Sequence, residues 1–301
     1  MATAKSPEDL LIFGCGYVGI RVAKRLLLRG TRVHALTRSK ARAGEFAREG
    51  LRPVVGDWLR PWTLRGLPQV PVALIAVGRD RSTNVDFYRW YVDGLRAALR
   101  SIDPSTRVVY LSSTGVYHQD GGVWVDEYSP CRPKRAGGAA HLAAEAVLRS
   151  HRPGGGSTIL RLAGIYGPGR LPRFAEIRTG QLLEGADDGF LNLIHADDAA
   201  AAAVAALSGP TREPIYVISD GSPVRRRDFY SELGRLVGAP AMLPSGTASG
   251  MVRRPRGENS KRVWNRRMRR DLLPRLAYPD YRCGLRQALS LRSMAAAGDQ
   301  A

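Results

Sequence analysis

Apolar runs recur through the first half of the chain: LLIF at 10–13, RVHAL at 32–36, RPVV at 52–55, VALIAV at 72–77 and RVVYLSS at 107–113. Each has the length and β-branched content of a buried strand, and helical spacing fills the gaps between them. Between the first two runs, Ile20, Ala23, Leu26 and Leu27 share one helical face, and Gly30 stands where a glycine ends a helix. This rhythm predicts βαβ units in a parallel sheet. After Ser113 come a loop with Gly and Pro, a helix expected from about Gly138 to Ser150, and a further strand, STILRL at 157–162. From about Gly164 onward Pro and Gly become frequent and the alternation fades. The expected fold is therefore α/β. A doubly wound parallel sheet of the Rossmann type occupies 1–163, and a smaller C-terminal substrate lobe, partly interwoven with that core, occupies 164–301.

Composition narrows the function classes. A chain of 301 residues with 44% apolar content can bury a sizeable core. Cys15, Cys131 and Cys283 are far apart, which argues against a disulfide framework or a zinc site. MATAKSPEDL at the start lacks an apolar core, and the longest uncharged apolar stretch, Ala199–Leu207, is too short to span a bilayer. A soluble, cytoplasmic protein with no membrane partner is expected. The formal charge of +19 favours phosphate-bearing partners without choosing among them.

The sharpest local signal is Gly14-Cys15-Gly16-Tyr17-Val18-Gly19, a G-x-G-x-x-G that leaves the first predicted strand and opens a helix. Such glycines allow a tight turn, backbone approach to a pyrophosphate and close helix packing. An NAD site would place an acid at the end of the second strand, yet none occurs between Leu10 and Gly44. Thr37, Arg38 and Ser39 stand there instead, a set suited to a 2′-phosphate, so NADP is expected ahead of NAD. Asp57, after the third strand, faces the adenine or caps the next turn, and Gly78 follows the fourth. His195, Asp197 and Asp198 read as helix-start capping by one of the aspartates rather than as a metal site.

Several separated segments together resemble the extended epimerase/dehydratase branch of the short-chain dehydrogenase/reductase superfamily. Besides the glycine loop these are LSSTGVYH at 111–118, DEYSPCRP at 126–133, LRLAGIYGPGR at 160–170, NLIHADDAAAAAVAAL at 192–207 and PIYVISDGSPVRRRDFYSELGRLVGAP at 214–240. The resemblance implies that Ser113, four residues before Tyr117, hydrogen-bonds a substrate oxygen near the nicotinamide, with Thr114 as a substitute. Ser112 and Tyr117 read as structural.

The family handles its proton with a tyrosine and a lysine four residues later, in a pattern close to P-x-x-x-Y-G-x-S-K-x-x-x-E. Aligned without gaps, 132–145 keeps Pro133, Gly138 and Glu145 but has Gly137, Ala140 and His141 at the tyrosine, serine and lysine positions. An imidazole of ordinary pKa, about 6.5, both donates and accepts, so His141 is one candidate acid and Tyr166 another. The resemblance implies an NAD(P)-dependent oxidoreductase or nucleoside-sugar epimerase/dehydratase-like protein with a small, anionic substrate, and it leaves the oligomeric state open, a homodimer included. The altered pattern resembles the atypical subgroup of the superfamily and leaves open a catalytically inactive NADP-binding sensor or scaffold. The basic run 251–270 carries no nucleic-acid-binding signature; by resemblance its Lys261, Arg262 and Arg266 close over an anionic ligand.

Overall fold

Side chains alternate across a strand, so a strand apolar at every position must be covered on both faces. In the computed structural model, which describes residues 6–80, 82–151, 156–180, 189–239 and 260–298, the apolar runs at 10–13, 72–75 and 108–112 are covered in this way, whereas 52–55, at the sheet edge, is largely exposed. The first half forms β1 (Asp9–Phe13), α1 (Gly19–Leu27), β2 (Arg32–Thr37), α2 (Lys40–Arg48), β3 (Arg52–Val55), β4 (Val72–Ile75), α3 (Gly94–Ser101) and β5 (Arg107–Ser113). There follow β6 (Trp124–Val125), α4 (Ala136–His151), β7 (Ser157–Leu162), β8 (Gly164–Tyr166), α5 (Phe174–Arg178), β9 (Phe190–Leu191) and β10 (Leu193–His195). The rest is α6 (Ala196–Leu207), β11 (Ile215–Ile218), β12 (Val224–Arg225), α7 (Arg226–Leu236), β13 (Arg262–Val263), α8 (Arg266–Asp271) and α9 (Tyr281–Gly298).

Seven strands pair in parallel in the order β11-β7-β5-β4-β1-β2-β3. Leu10, Ile12, Leu74, Val109 and Leu111 face the layer of α1 and α6; Leu11, Phe13, Ile75, Val108 and Tyr110 face that of α3 and α4. The fold is the doubly wound α/β sheet that the sequence rhythm predicts. Chain direction across the sheet reverses between β1 and β4, and ligands of such sheets sit in the crevice beyond the strand ends at that point. A separate apolar cluster of Tyr166, Ile177, Leu193, Phe229, Leu233, Tyr281 and Leu285 joins α5, α7 and α9 beside the sheet.

The helix expected from Gly138 begins two residues earlier, at Ala136. Its register is set from inside the protein. Glu145, completely buried, accepts from Ser112 Oγ at 2.6 Å and from Arg161 Nε and Nη2 at 3.0 and 2.7 Å. Arg161 also donates to the Tyr117 hydroxyl at 2.9 Å, so α4, β5, β7 and the turn after β5 share one polar knot. Ser112 and Tyr117 are both hydrogen-bonded into this knot, and Ser112 also lines the cleft described below. Removing one partner of a buried ion pair strands the other charge, which typically costs about 3–5 kcal/mol. Glu145→Gln should lower unfolding stability by about that amount in denaturant titration; a loss below about 1 kcal/mol would contradict this role.

Candidate functional site

The glycine loop occupies the crevice predicted by strand order. Gly14 takes φ +87°, and a Cβ there would lie 2.6 Å from the backbone of Ala76 and Val77 at the end of β4. A Cβ on Gly19 would meet the Gly14 carbonyl, which is why α1 can start so close to the strand. Gly16 is different: nothing lies within 4 Å of its missing Cβ, and it lines an open cleft. Val18 makes no side-chain cap on α1, and its first turn carries no acid. Backbone N–H groups at such an uncapped helix start are free to receive an anion. These features fit a pyrophosphate.

The cleft has a volume of about 1600 Å³. That exceeds the roughly 300–1,000 Å³ of a common small-ligand pocket, leaving room for a dinucleotide and a substrate together. It is lined by Gly14, Gly16, Tyr17, Val18, Thr37, Arg38, Asp57, Gly78, Ser113 and His141, so most of the predicted site residues share one space. Gly19 and Ser39 are not among the lining residues. Ser39 caps α2 by accepting from Arg42 N at 3.2 Å, and Thr37 Oγ1 accepts from Ser39 N at 3.2 Å. Asp57 Oδ1 accepts from Leu59 N at 3.0 Å, so it caps the turn as well as lining the cleft.

Tyr17 joins this loop to the other wall. Its hydroxyl donates to Pro168 O at 2.9 Å, and the guanidinium of Arg21 lies 4.1 Å from its ring centre. Close by, Gly167 at φ +150° leaves space for the Tyr17 hydroxyl, 2.9 Å from the position of its absent Cβ, and for His195 Nε2, 3.1 Å away. His195, not an aspartate, caps α6: its Nδ1 accepts from Asp197 N at 3.3 Å, and Nε2 meets Gln287 Oε1 at 3.1 Å. Asp197 pairs with Arg21 at 3.2 Å, and Asp198 accepts from Ala277 N and Tyr278 N, both at 2.9 Å.

At the β5 end, two periodicities interlock. Residues 110 and 112 point to one face of β5, and 141 and 145 lie one turn apart on α4. Tyr110 therefore meets His141 as Ser112 meets Glu145. The Tyr110 hydroxyl lies 3.0 Å from His141 Nδ1. Burial raises the Tyr110 phenol well above its ordinary value, so it keeps its proton; with that proton directed at Nδ1, the imidazole hydrogen sits on Nε2. The Tyr91 ring lies tilted by 35° over the same ring, with centres 4.1 Å apart. It projects from a π-helical turn, Arg89–Asp93, that runs into α3. Burial pushes the His141 pKa down to about 4, although Glu145 pulls it upward. The expected imidazole titrating near neutrality is therefore replaced by one that is neutral at physiological pH. Ser113 Oγ accepts from Gly115 N at 3.0 Å, which leaves its own hydrogen to donate.

Position 137 is crowded by a neighbour. A Cβ on Gly137 would lie 3.2 Å from the ring of Phe87, which itself lines the cleft. A Cβ on Gly138 would collide with the Gly115 carbonyl, so α4 and the turn after β5 approach as closely as glycine permits. Tyr166 does not line the cleft. It is buried in the second cluster, its hydroxyl donates to Asp280 O at 3.2 Å, and burial raises its pKa. In the basic run, residues 251–259 lie outside the described residues. Lys261 is buried, which lowers its pKa to about 8, while Arg262 and Arg266 lie over Trp124 and Trp264 at 4.9 and 4.1 Å. None of these three lines the cleft.

Sequence reasoning missed Tyr110, Tyr91 and Phe87 around position 141, and Asp80, whose Oδ2 accepts from Arg38 Nη2 at 2.7 Å. Only Asp80 had a readable signal, as an acid just past the fourth strand in a chain whose second strand ends without one.

A parallel sheet with this strand order, a glycine loop at the reversal and a hydroxyl at the end of β5 define a protein of the Rossmann-type, doubly wound class. The chain belongs to the NAD dependent epimerase/dehydratase family, whose sequence model matches residues 10–219. A solved structure from Methylobacillus flagellatus that carries the name of an NAD-dependent epimerase/dehydratase is 30% identical, with a TM-score of 0.75 over 95% of this chain and 99% of that one. Protein YeeZ of Escherichia coli is 28% identical over 77% of this chain and 84% of its own. The 4-hydroxy-2-methyl-3-oxo-4-farnesyl-3,4-dihydroquinoline-1-oxide ketoreductase of Stigmatella aurantiaca is 28% identical over 73% of this chain and 70% of its own. Among the described residues no helix is long and apolar enough to cross a membrane.

The low His141 pKa has a direct consequence. The folded value lies below the unfolded one, about 6.5, so the contribution of the neutral ring to stability is complete above that pH and fades as pH falls toward about 4. The His141 ring signals in an NMR titration should stay constant from pH 8 to about 5. A midpoint near 6.5 would show that the ring is solvated.

Proposed function

We propose that the cleft binds a nicotinamide dinucleotide, NADP(H) ahead of NAD(H), and that the protein oxidises or reduces a small, anionic substrate held between the sheet and the lobe of residues 164–301. The observation that carries this reading is the single cleft joining the glycine loop, Arg38, Ser113 and His141. In it Gly14, Gly16, Tyr17, Val18 and Gly19 take the pyrophosphate. Thr37, Arg38 and Ser39 take the 2′-phosphate, and Asp57 and Gly78 flank the adenosine. When bound, the cofactor supplies or accepts a hydride. The ketoreductase among the relatives supports carbonyl chemistry. Arg170 and Arg173 on the opposite wall suit an anionic substrate; Arg173 pairs with Glu176 at 3.0 Å, while no carboxylate among the described residues bonds Arg170.

At the reacting end Ser113 and His141 act as hydrogen-bond donors to a substrate oxygen. The Ser113 hydroxyl offers its hydrogen, and the neutral imidazole offers Nε2–H. Neither is a strong acid at neutral pH, so the proton that balances hydride transfer comes from water. Loss of a positioned acid typically costs about a hundredfold to ten-thousandfold in rate. The wild-type protein should therefore bind NADPH tightly, by cofactor fluorescence, while reducing a panel of ketones and sugar nucleotides slowly. His141→Ala should lower any turnover about tenfold or more, as expected for loss of one hydrogen bond in the transition state, with NADPH affinity changed less than about threefold. Brisk turnover indifferent to that change would remove His141 from the chemistry.

A second reading, a silent NADP-binding sensor, is favoured by Phe87 against position 137 and by the His141 pKa of about 4. The two readings part in the triple change Phe87→Ala, Gly137→Tyr, His141→Lys, which makes room for a phenol and supplies its cation. A wild-type protein without turnover on any substrate, converted by the triple change into a measurable reductase, identifies the sensor. Slow wild-type turnover that rises with the triple change identifies the enzyme.

A further inference from the structure

Three arginines, Arg38, Arg42 and Arg79, line the adenosine end of the cleft, and each is already engaged. Arg38 Nη2 donates to Asp80 Oδ2 at 2.7 Å, and its guanidinium lies 5.6 Å from the ring centre of Trp90. Arg42 is paired with Glu45 and lies 4.8 Å from the ring centre of Phe46. Arg79 donates to Val85 O at 3.1 Å, and Arg60 faces Asp57 at 3.8 Å. The hydroxyls of Thr37 and Ser39 accept within the turn. A 2′-phosphate entering here finds no described guanidinium waiting for it.

Asp80 differs from an ordinary surface partner because its loop holds it in place. Its Oδ1 accepts from Ser82 N at 3.0 Å and from Ser82 Oγ at 2.6 Å, and Thr83 Oγ1 donates to its carbonyl at 3.0 Å. It projects from the segment after β4, opposite the end of β2, so the pair spans the adenosine end. Trp90, 3% exposed, floors the same space.

Resting on the reading that the cleft takes a nicotinamide dinucleotide, we infer that Asp80 is a specificity-determining residue that competes with the 2′-phosphate for the Arg38 guanidinium. With NAD(H) the Arg38–Asp80 pair stays intact. With NADP(H) the phosphate, carrying up to two negative charges, draws the guanidinium away and comes to rest near a fixed carboxylate. The phosphate still wins Arg38, but by less than it would against an empty site. The arrangement therefore keeps NAD(H) usable in a cleft whose β2 end alone would favour NADP(H). The Ser82 hydroxyl first, and Arg38 with it, hold the Asp80 carboxyl down to about 2, so it competes at every physiological pH.

The test is a double-mutant cycle on affinity, with NADPH and NADH fluorescence titrated into wild type, Asp80→Asn, Arg38→Ala and the double variant. Asp80→Asn should tighten NADPH about tenfold and leave NADH within about twofold; on the Arg38→Ala background it should leave both cofactors within about twofold. NADH binding by the variant doubles as proof that it is folded. Equal changes for both cofactors, no change for either, or a higher ratio produced by weaker NADH binding would each overturn the competition. Those results would leave dinucleotide binding itself intact. Wild-type protein that binds neither cofactor would instead remove the underlying reading, and this inference with it.

Discussion

The buried pair of Glu145 and Arg161 is the constraint on which the site rests. Two charges taken out of water are tolerable only with good geometry and further hydrogen bonds, and here the carboxylate has three donors within 3.0 Å. That requirement fixes the rotation of α4 about its axis and its height against β5 and β7. His141, one turn earlier, must then stand against Tyr110, two residues before Ser112. The chemistry of the imidazole follows from a contact made one helical turn away.

This layering explains what could be read from the sequence. The sheet was legible because its strands are apolar at successive positions, and the glycine loop because its spacing follows a strand and opens a helix. Contacts between elements were not. Tyr110 looks like one more apolar residue in VVYL, and nothing local says that position 141 lies opposite it. The π-helical turn at Arg89–Asp93 shifts the helical register so that Trp90 and Tyr91 both reach the cleft, and such a bulge leaves no pattern in composition. The cap of α6 shows a subtler limit. An Asp-Asp pair after an apolar strand suggests an aspartate cap, yet His195 fills that role because the aspartates are bound by Arg21 and by the chain before α9.

Net charge proved a weak guide to the site. A surplus of nineteen positive charges suggests free cations everywhere. In the cleft the arginines are distributed among carboxylates, carbonyls and aromatic faces instead. Local pairing decides what an incoming anion meets, and the summed charge acts mainly at distances that salt screens.

Gly167 stands where three distant parts of the chain meet. Its bare Cα leaves space for the Tyr17 hydroxyl and for the ring that caps α6, and through Gln287 that ring reaches α9. A single methyl group at 167 would disturb the nucleotide loop, a helix start and the C-terminal helix at once. Positions 17, 167 and 195 consequently form one steric unit, in which the bare glycine sets the room left to the tyrosine and the histidine.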